Sequence, residues 1–282
     1  MGRGKLKKFF SFLSIVFFII AAVFIYARFI EPNLLTVHYE NIKSSRMSEE
    51  WSELKILQFS DMHISKYFDY RDIKKVVEKI NEEKPDIVFF TGDLIDEYSS
   101  YERKDRINEI WQELRLINAP LGKYAVYGNH DYGGGAEYVY KEIMENSGFI
   151  LLKNEKVTLE DYNLNIIGMD DSIFGEIEKE KIIGFLDDDR CNIVLSHEPD
   201  VVDSMLEYNI DLFLSGHSHG GQVNLPVIKF LPPLGQKYTG GMYSFNNFRQ
   251  TILYVNIGLG TSKIPLRFMA PPELTVLTIN NR

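Results

Sequence analysis

Five of the six histidines in this 282-residue chain lie in short polar motifs, and four of these five share their motif with aspartate, asparagine or glycine. Imidazole, carboxylate and amide groups together are typical ligands of Mn, Fe, Co, Ni or Zn, whereas calcium takes oxygen ligands only. The sixth histidine, His38, stands apart from any such motif, and we treat it as uninvolved. The motifs are Asp61-Met62-His63, Gly92-Asp93-Leu94-Ile95-Asp96, Gly128-Asn129-His130-Asp131, Ser196-His197 and Gly216-His217-Ser218-His219.

Each motif directly follows an apolar run that predicts a β-strand. Alone, such a motif is more often a turn, and a lone histidine is more often a surface or core residue. Their joint occurrence at successive strand ends instead predicts a metal site, because open α/β sheets place their ligand crevice outside the carboxyl ends of the strands. Period-2 alternation would point His217 and His219 to the same side, and the glycines at 216, 220 and 221 would let the backbone turn tightly.

Apolar strands alternate with amphipathic helices through the body of the chain. This pattern predicts a layered α/β fold whose sheets are buried on both faces. The predicted helices cover residues 71–83, 107–117 and 136–146. The predicted strands cover 54–59, 86–90, 123–127, 163–167, 192–195, 211–214, 251–257 and 274–279.

The ordered set D-x-H, G-D-x-x-D, G-N-H-D, H and G-H-x-H resembles the calcineurin-like metallophosphoesterase family over residues 54 to about 279. The form Gly-His-Ser-His-Gly-Gly-Gln is most similar to the membrane-anchored bacterial branch, which includes UDP-2,3-diacylglucosamine pyrophosphatases and cell-envelope phosphodiesterases. The resemblance implies an α/β/β/α sandwich and hydrolysis of a phosphodiester or pyrophosphate bond.

The same resemblance implies a dinuclear metal centre with a bridging hydroxide. The two divalent ions would be Mn, Fe, Zn, Co or Ni, with Mn favoured. The implied ligands are Asp61, His63 and His219 for one ion, Asn129, His197 and His217 for the other, and Asp93 for both.

His130 would be catalytic rather than a ligand, protonating the leaving oxygen or stabilising charge on the phosphoryl group. Asp131 has two open interpretations: it orients the His130 ring, or it caps the helix that follows. Asp96 is expected to be structural.

The N-terminal segment predicts a membrane anchor. Residues 9–27 carry no charge, and their 19 residues are close to the ~20 needed to span a bilayer. A cleaved signal peptide is the alternative, although the apolar run is long for one and Tyr26-Ala27-Arg28 is a poor cleavage site. Four basic residues precede the run and Arg28 alone follows it closely, so the positive-inside rule predicts a single-pass cell-membrane protein with an extracytoplasmic body. The expected division is an anchor over 1–28, a juxtamembrane linker over 29–53 and a metallophosphoesterase domain over 54–282.

Composition limits the partners. The net charge of −9 becomes more negative without the basic N-terminus, and an acidic body repels nucleic-acid backbones. The single Cys191 excludes an intrachain disulfide and a CxxC zinc site, and it is expected to be a buried thiol. The expected partners are the membrane and a phosphorylated small-molecule or lipid-linked substrate, with no nucleic acid and no obligate protein partner.

Three further alternatives concern the function. Residues 225–248, rich in proline and aromatic residues, could form an apolar lip through Phe230 and Leu231, or a hairpin packed on its own domain. A catalytically silent envelope-binding scaffold would have lost a ligand or His130, and this chain keeps them all. A purple-acid-type phosphatase would need a tyrosine metal ligand where the chain has Asp96. Arg249 and Arg267 are separate candidates for binding the phosphate of a phosphoprotein.

Overall fold

The computed structural model describes residues 3–44, 46, 53–225 and 230–280, which form two stacked β-sheets between layers of helices. The helices are α1 (Arg3–Ile25), α2 (Tyr70–Glu83), α3 (Ile107–Leu114), α4 (Asn129–Tyr132), α5 (Glu137–Asn146) and α6 (Lys179–Phe185). The first six strands are β1 (Thr36–Lys43), β2 (Glu53–Phe59), β3 (Ile87–Phe90), β4 (Lys123–Ala125), β5 (Phe149–Leu151) and β6 (Glu155–Leu159). The others are β7 (Leu164–Gly168), β8 (Cys191–Leu195), β9 (Leu212–Ser215), β10 (Gly241–Ser244), β11 (Ile252–Val255) and β12 (Glu273–Asn280).

Each sheet has six strands and a largely parallel centre. The first sheet has the order β1-β12-β2-β3-β4-β5, with β2 to β5 parallel and β12 antiparallel to β2. The second has the order β10-β11-β9-β8-β7-β6, with β7, β8, β9 and β11 parallel. The parallel strands of each sheet have their carboxyl ends at one edge of that sheet. Each sheet therefore holds several strand ends side by side, where α/β folds place their ligand crevice.

Strand alternation builds three layers of core. In β2, Leu54 and Ile56 point between the sheets, whereas Leu57 and Phe59 point towards α2, α3 and α5. In the second sheet, Val194 lies on the outer face, in a core shared with α6. Because both faces of both sheets are covered, the central strands read as nearly continuous apolar runs. The predicted α/β/β/α sandwich is confirmed.

Helix α2 shows how local signals set an element. Asp69 accepts a hydrogen bond from Arg71 N at 2.9 Å and forms a capping box with Asp72, which starts the helix. The predicted apolar stripe is buried against the first sheet. Lys84, in the left-handed conformation at φ 51°, ends the helix just before Pro85.

The segment 29–53, expected to be a linker, instead contributes β1. This strand pairs in parallel with β12 from Thr36 opposite Glu273 to Lys43 opposite Asn280, so the sheet begins before residue 54. One of its eight residues, Ile42, is buried, and an edge strand of this kind carries no apolar alternation that a sequence pattern can reveal. Residues 45 and 47–52 of the expected linker lie outside the described part of the chain.

Helix α1 continues into a turn of π-helix at Tyr26–Ile30 and a turn of 3-10 helix at Glu31–Asn33. The stretch Gly4–Asn33 is the one helix in the described residues that is long and apolar enough to cross a membrane. Its end is fixed to the body, because Ala27 O accepts the Arg267 N–H at 2.9 Å and the Glu31 carboxylate accepts the Ala270 N–H at 2.6 Å. The end of this apolar helix is therefore joined to the body by two hydrogen bonds.

Candidate metal centre

The predicted ligands lie at the carboxyl ends of five strands from both sheets. The ends of β2, β3 and β4 supply residues from the first sheet, and β8 and β9 supply residues from the second. The structure gathers six of the seven predicted ligands in two neighbouring clusters, and the seventh, Asn129, directly precedes His130, whose N–H donates to Asp93. All seven follow strand ends. They are Asp61 and His63 after β2, Asp93 after β3, Asn129 after β4, His197 after β8, and His217 and His219 after β9.

Five of these seven residues have a left-handed backbone. Such a conformation costs a non-glycine residue of order 1–3 kcal/mol and persists where surrounding contacts enforce it. At Asp61, those contacts are its N–H to the Gly92 carbonyl at 2.9 Å and its own carbonyl accepting the Gly260 N–H at 2.8 Å. The φ values are 49° at Asp61, 43° at His63, 62° at Asp93, 68° at His217 and 52° at His219.

Glycine at two positions allows the strand ends to approach one another. A Cβ on Gly216 would overlap Ser60 Oγ and Asp61 Oδ2, so the second sheet could not come this close to the first with any other residue. A Cβ on Gly92 would lie 2.6 Å from Gly128 N, and its φ of +95° also favours glycine. The sequence predicted that glycine allows a tight turn at residue 216. The structure adds a second reason for glycine at Gly216, because the two sheets approach too closely there for a side chain.

The first cluster consists of Asp61, His63 and His219. His63 Nε2 lies 3.0 Å from His219 Nε2, and Asp61 Oδ1 lies 3.7 Å and 3.4 Å from these two nitrogens. The donor atoms of all three lie within 4.8 Å of one another and the side chains are buried. One cation would satisfy all three donors at once.

The second cluster consists of Asp93, His197 and His217. His197 Nε2 lies 3.1 Å from Asp93 Oδ2 and 3.1 Å from His217 Nδ1. Asp93 Oδ2 also lies 3.5 Å from His63 Nε2, so this carboxylate stands between the two clusters. This is the geometry expected of a bridging ligand.

Contacts on the outer side of three rings, two of them hydrogen bonds, indicate which nitrogen faces inward. His197 Nδ1 lies 2.6 Å from the Thr91 carbonyl, and His217 Nε2 lies 2.8 Å from the Pro233 carbonyl. His63 Nδ1 lies 3.2 Å from Asp96 Oδ1. Because carbonyl and carboxylate oxygens accept, the outer nitrogen carries the proton and the inner one keeps a lone pair for a metal.

Burial and charge shift the pKa values of these rings in opposite directions. Burial alone would lower the pKa of His63, but the carboxylates of Asp61 and Asp96 raise it to about 10. Burial, with the neighbouring His197, lowers the pKa of His217 to about 4. Divalent ions would replace the protons of such a cluster, since ligands bind metals in their deprotonated forms.

Unpartnered oxygens support the same assignment. Within the described residues, Asp61 Oδ1 and Asn129 Oδ1 are buried and have no hydrogen-bond partner. An orphaned buried acceptor is costly unless a cation or donor meets it. Nitrogen and oxygen donors in this combination fit divalent transition-metal ions.

His130 lies beside the two clusters and is less buried than their members. Its N–H donates to Asp93 Oδ1 at 2.8 Å, and its ring stands perpendicular to that of His63 with centroids 4.7 Å apart. Its Nδ1 contacts the Asp96 carbonyl and lies 3.8 Å from Asp96 Oδ1. The His130 side chain keeps 25% of its surface exposed, which leaves it accessible to a substrate.

Asp131 directs its carboxylate at backbone N–H groups. Oδ2 accepts from Asp93 N and Gly128 N at 2.8 Å each, and Oδ1 accepts from Leu94 N at 2.9 Å. Burial and the Asp93 carboxylate raise the pKa of Asp131 to about 8, against these three donors. Asp131 therefore braces two loops that carry predicted ligands from the first turn of α4, and Asp96 is the carboxylate beside the His130 ring.

Several contributing groups could not be identified from the sequence. The carbonyls of Thr91 and Pro233 carry no side-chain signal, because any residue could supply them. Asp96 was visible in the G-D-x-x-D motif, but its position between His63 and His130 was not. Arg249 and Arg267, the candidate phosphate-gripping residues, are instead buried on the backbone carbonyls of Asp187 and of Ile257, Gly260 and Ala270, respectively.

The predicted lip divides into two parts. Tyr238 packs against Tyr243 and Phe245, with ring centroids 5.0 and 5.6 Å apart, on the outer face of the second sheet. Phe230 is 65% exposed. Residues 226–229 lie outside the described part of the chain. The aromatic hairpin thus packs on its own domain, and Phe230 does not.

Comparison with known proteins identifies the family. The sequence profile of the calcineurin-like phosphoesterases matches residues 54–221. The Bacillus subtilis protein named uncharacterized metallophosphoesterase YkuE is 41% identical over 261 residues, which cover 91% of this chain and 89% of the relative. UDP-2,3-diacylglucosamine pyrophosphatase LpxG of Chlamydia trachomatis is 30% identical over 311 residues, covering 90% of this chain and 92% of the relative.

Solved structures show the same fold. A dimetal phosphatase from Danio rerio matches with a TM-score of 0.51 and 12% identity, over 81% of this chain and 99% of that one, a likeness of fold alone. The chain belongs to the calcineurin-like phosphoesterase family and is a hydrolase of phosphoester bonds.

Proposed function

We propose that this calcineurin-like phosphoesterase hydrolyses a phosphodiester or pyrophosphate bond with two divalent metal ions, Mn being favoured. The observation that carries the proposal is the position of Asp93 between two buried clusters whose inner ring nitrogens face one another. Asp61, His63 and His219 would hold one ion, with Asn129, His197 and His217 holding the other. When bound, the two ions would supply a bridging hydroxide as nucleophile and neutralise charge on the phosphate.

His130 is the residue best placed to act on the leaving group. Hydrolysis forms one phosphorus–oxygen bond from water and breaks another, and the departing oxygen needs a proton. The contact of Nδ1 with the Asp96 carbonyl makes Nδ1 a donor, and the Asp96 carboxylate lies 3.8 Å from the same atom. When protonated, the other ring nitrogen would give its proton to the leaving oxygen, with Asp96 positioning the ring.

The names of two relatives and the apolar helix α1 support a proposal for the substrate class. The chlamydial relatives are named for a pyrophosphate that carries two acyl groups. We extend this to a lipid-linked or cell-envelope phosphodiester or pyrophosphate. The apolar helix α1 and the basic residues before it support a location of the body at the outer face of the membrane.

Metal reconstitution of the full chain in detergent micelles tests the proposal. The protein is stripped of metal, reloaded with Mn, Fe, Co, Ni or Zn, and assayed with a chromogenic phosphodiester beside the matching monoester. We expect two ions per chain, diester cleavage restored by metal, and a loss of about 10²–10⁴-fold in His130→Ala with metal content retained. Two bound ions without turnover of either ester would instead indicate a catalytically silent scaffold.

A further inference from the structure

An apolar cleft of about 280 Å³ lies between α1 and two loops of the body. Its α1 wall includes Val23 and Phe24, and its loop wall includes Leu225, Leu266 and Phe268; every residue that lines it is apolar. Its volume is close to the lower end of ligand pockets, roughly 300–1,000 Å³. The cleft is separate from the metal centre, and no step of the hydrolysis uses it.

The position of the cleft along α1 sets its surroundings. The uncharged run ends at Ala27, and at a rise of 1.5 Å per residue Ile20 and Phe24 lie roughly 5–10 Å before that end. A helix that spans the bilayer with this run would place the cleft in the hydrocarbon of the outer leaflet. In the hydrocarbon region the cleft is surrounded by lipid, and the part of a lipid that matches its apolar lining is an acyl chain.

The loops of the cleft lead directly to the metal centre. Val223 follows the predicted ligand His219 by four residues, a separation of at most ~14 Å. The Gln222 side chain joins the two loops, donating to the Ile264 carbonyl at 2.7 Å and accepting from Ser262 N at 2.9 Å. Asn224 N also donates to the Phe268 carbonyl at 2.9 Å. One short, braced loop thus has the metal centre at one end and the cleft at the other.

We propose that the cleft holds an acyl chain of the lipid substrate while its phosphate ester lies at the metal centre. This inference rests on the proposed function and specifies its substrate: a phosphoester or pyrophosphate with a hydrocarbon chain drawn sideways from the outer leaflet. Because the chain passes from one apolar environment to another, the cleft adds little affinity. Its effect is to fix the position of the ester, which raises the rate of chemistry.

The test compares two esters that differ only in their chain. Full-length protein in lipid nanodiscs, loaded with Mn, is assayed with hexadecyl p-nitrophenyl phosphate and with ethyl p-nitrophenyl phosphate. Val23→Trp fills the cleft from the side of α1, a helix that carries none of the predicted metal ligands. We expect it to lower the ratio of kcat/KM for hexadecyl over ethyl ester by about tenfold through lost positioning.

Phe17→Trp is the matched control, since Phe17 lies on α1, is 66% exposed and does not line the cleft. It should leave the ratio unchanged. A ratio that is the same in wild type, Val23→Trp and Phe17→Trp would overturn the proposal.

A second readout does not depend on turnover. A hexadecyl phosphonate with a diazirine near the end of its chain should label residues 223–225 and 264–268 in the wild type, and Val23→Trp should abolish this labelling. Labelling confined to the lipid-facing residues of α1 would refute the cleft. If neither ester is hydrolysed, the proposed function fails, whereas the labelling result still decides what the cleft holds.

Discussion

The replacement Gly216→Ala adds one methyl group where the two sheets meet beside the metal centre. The new Cβ would overlap Ser60 Oγ and Asp61 Oδ2, and all three residues are buried. Asp61 Oδ2 also accepts the His217 N–H at 3.0 Å, so moving it disturbs one predicted ligand of each ion. The perturbation therefore acts on the metal centre without removing any ligand.

This overlap should lower both the stability of the domain and its affinity for metal. Overpacking of a buried site costs about 1–3 kcal/mol, which for a domain of this size lowers the Tm by about 2–10 °C. Displacing the group that orients a ligand typically lowers metal affinity by about 10–100-fold. We therefore expect a lower Tm, fewer than two ions retained after gel filtration, and a lower kcat at limiting metal.

Gly184→Ala provides the matched control, because a Cβ at Gly184 in α6 meets nothing within 4 Å. In a helix interior this change stabilises by up to about 1 kcal/mol. Both variants are measured by differential scanning fluorimetry, metal analysis and diester turnover. If Gly216→Ala keeps two ions and matches Gly184→Ala in Tm and kcat, the close approach of the two sheets is not required and the reasoning is wrong.

Three other changes should have distinct effects. Asp96→Asn should lower kcat by about 10–100-fold while changing KM much less, since Asp96 contacts the His130 ring and positions it for the chemical step; an unchanged kcat would exclude this positioning role. Cys191, whose pKa burial raises to about 12, should resist Ellman's reagent at pH 8 in the native state and react fully in guanidinium; native reaction at the rate of a free thiol would contradict its burial. Arg267→Met leaves three buried carbonyls without their donor and should destabilise the chain by at least about 1–3 kcal/mol in chemical denaturation, whereas a change below about 0.5 kcal/mol would show that the loop is held by other contacts.

The sequence identified the central strands because burial on both faces leaves them as apolar runs. The sequence also identified α2 from its apolar stripe and from the helix stop at Lys84-Pro85. It missed β1, whose pairing with β12 depends on backbone groups rather than on apolar side chains. The short strands β5, β6 and β10 were missed for a similar reason, since each has exposed residues that break the apolar pattern.

The chemistry of the metal centre was largely determined by the sequence itself. Histidine, aspartate and asparagine at five strand ends specify both the donor atoms and the edge of the fold where they gather, because parallel strands share a carboxyl edge. The long apolar helix α1 was equally visible, since a long uncharged run needs no tertiary partner to be recognised.

Tertiary structure alone decided how these groups are oriented. The sequence left Asp131 two roles, orienting the His130 ring or capping the following helix. The fold turns Asp131 onto backbone N–H groups, including that of Gly128 at the start of α4, and brings Asp96 beside the His130 ring. The carbonyls of Thr91 and Pro233, which set the inward nitrogens of two rings, belong to no motif. Residue types fix which atoms can bind or donate, whereas distances between chain segments far apart in sequence arise only when the two sheets and the anchor pack together.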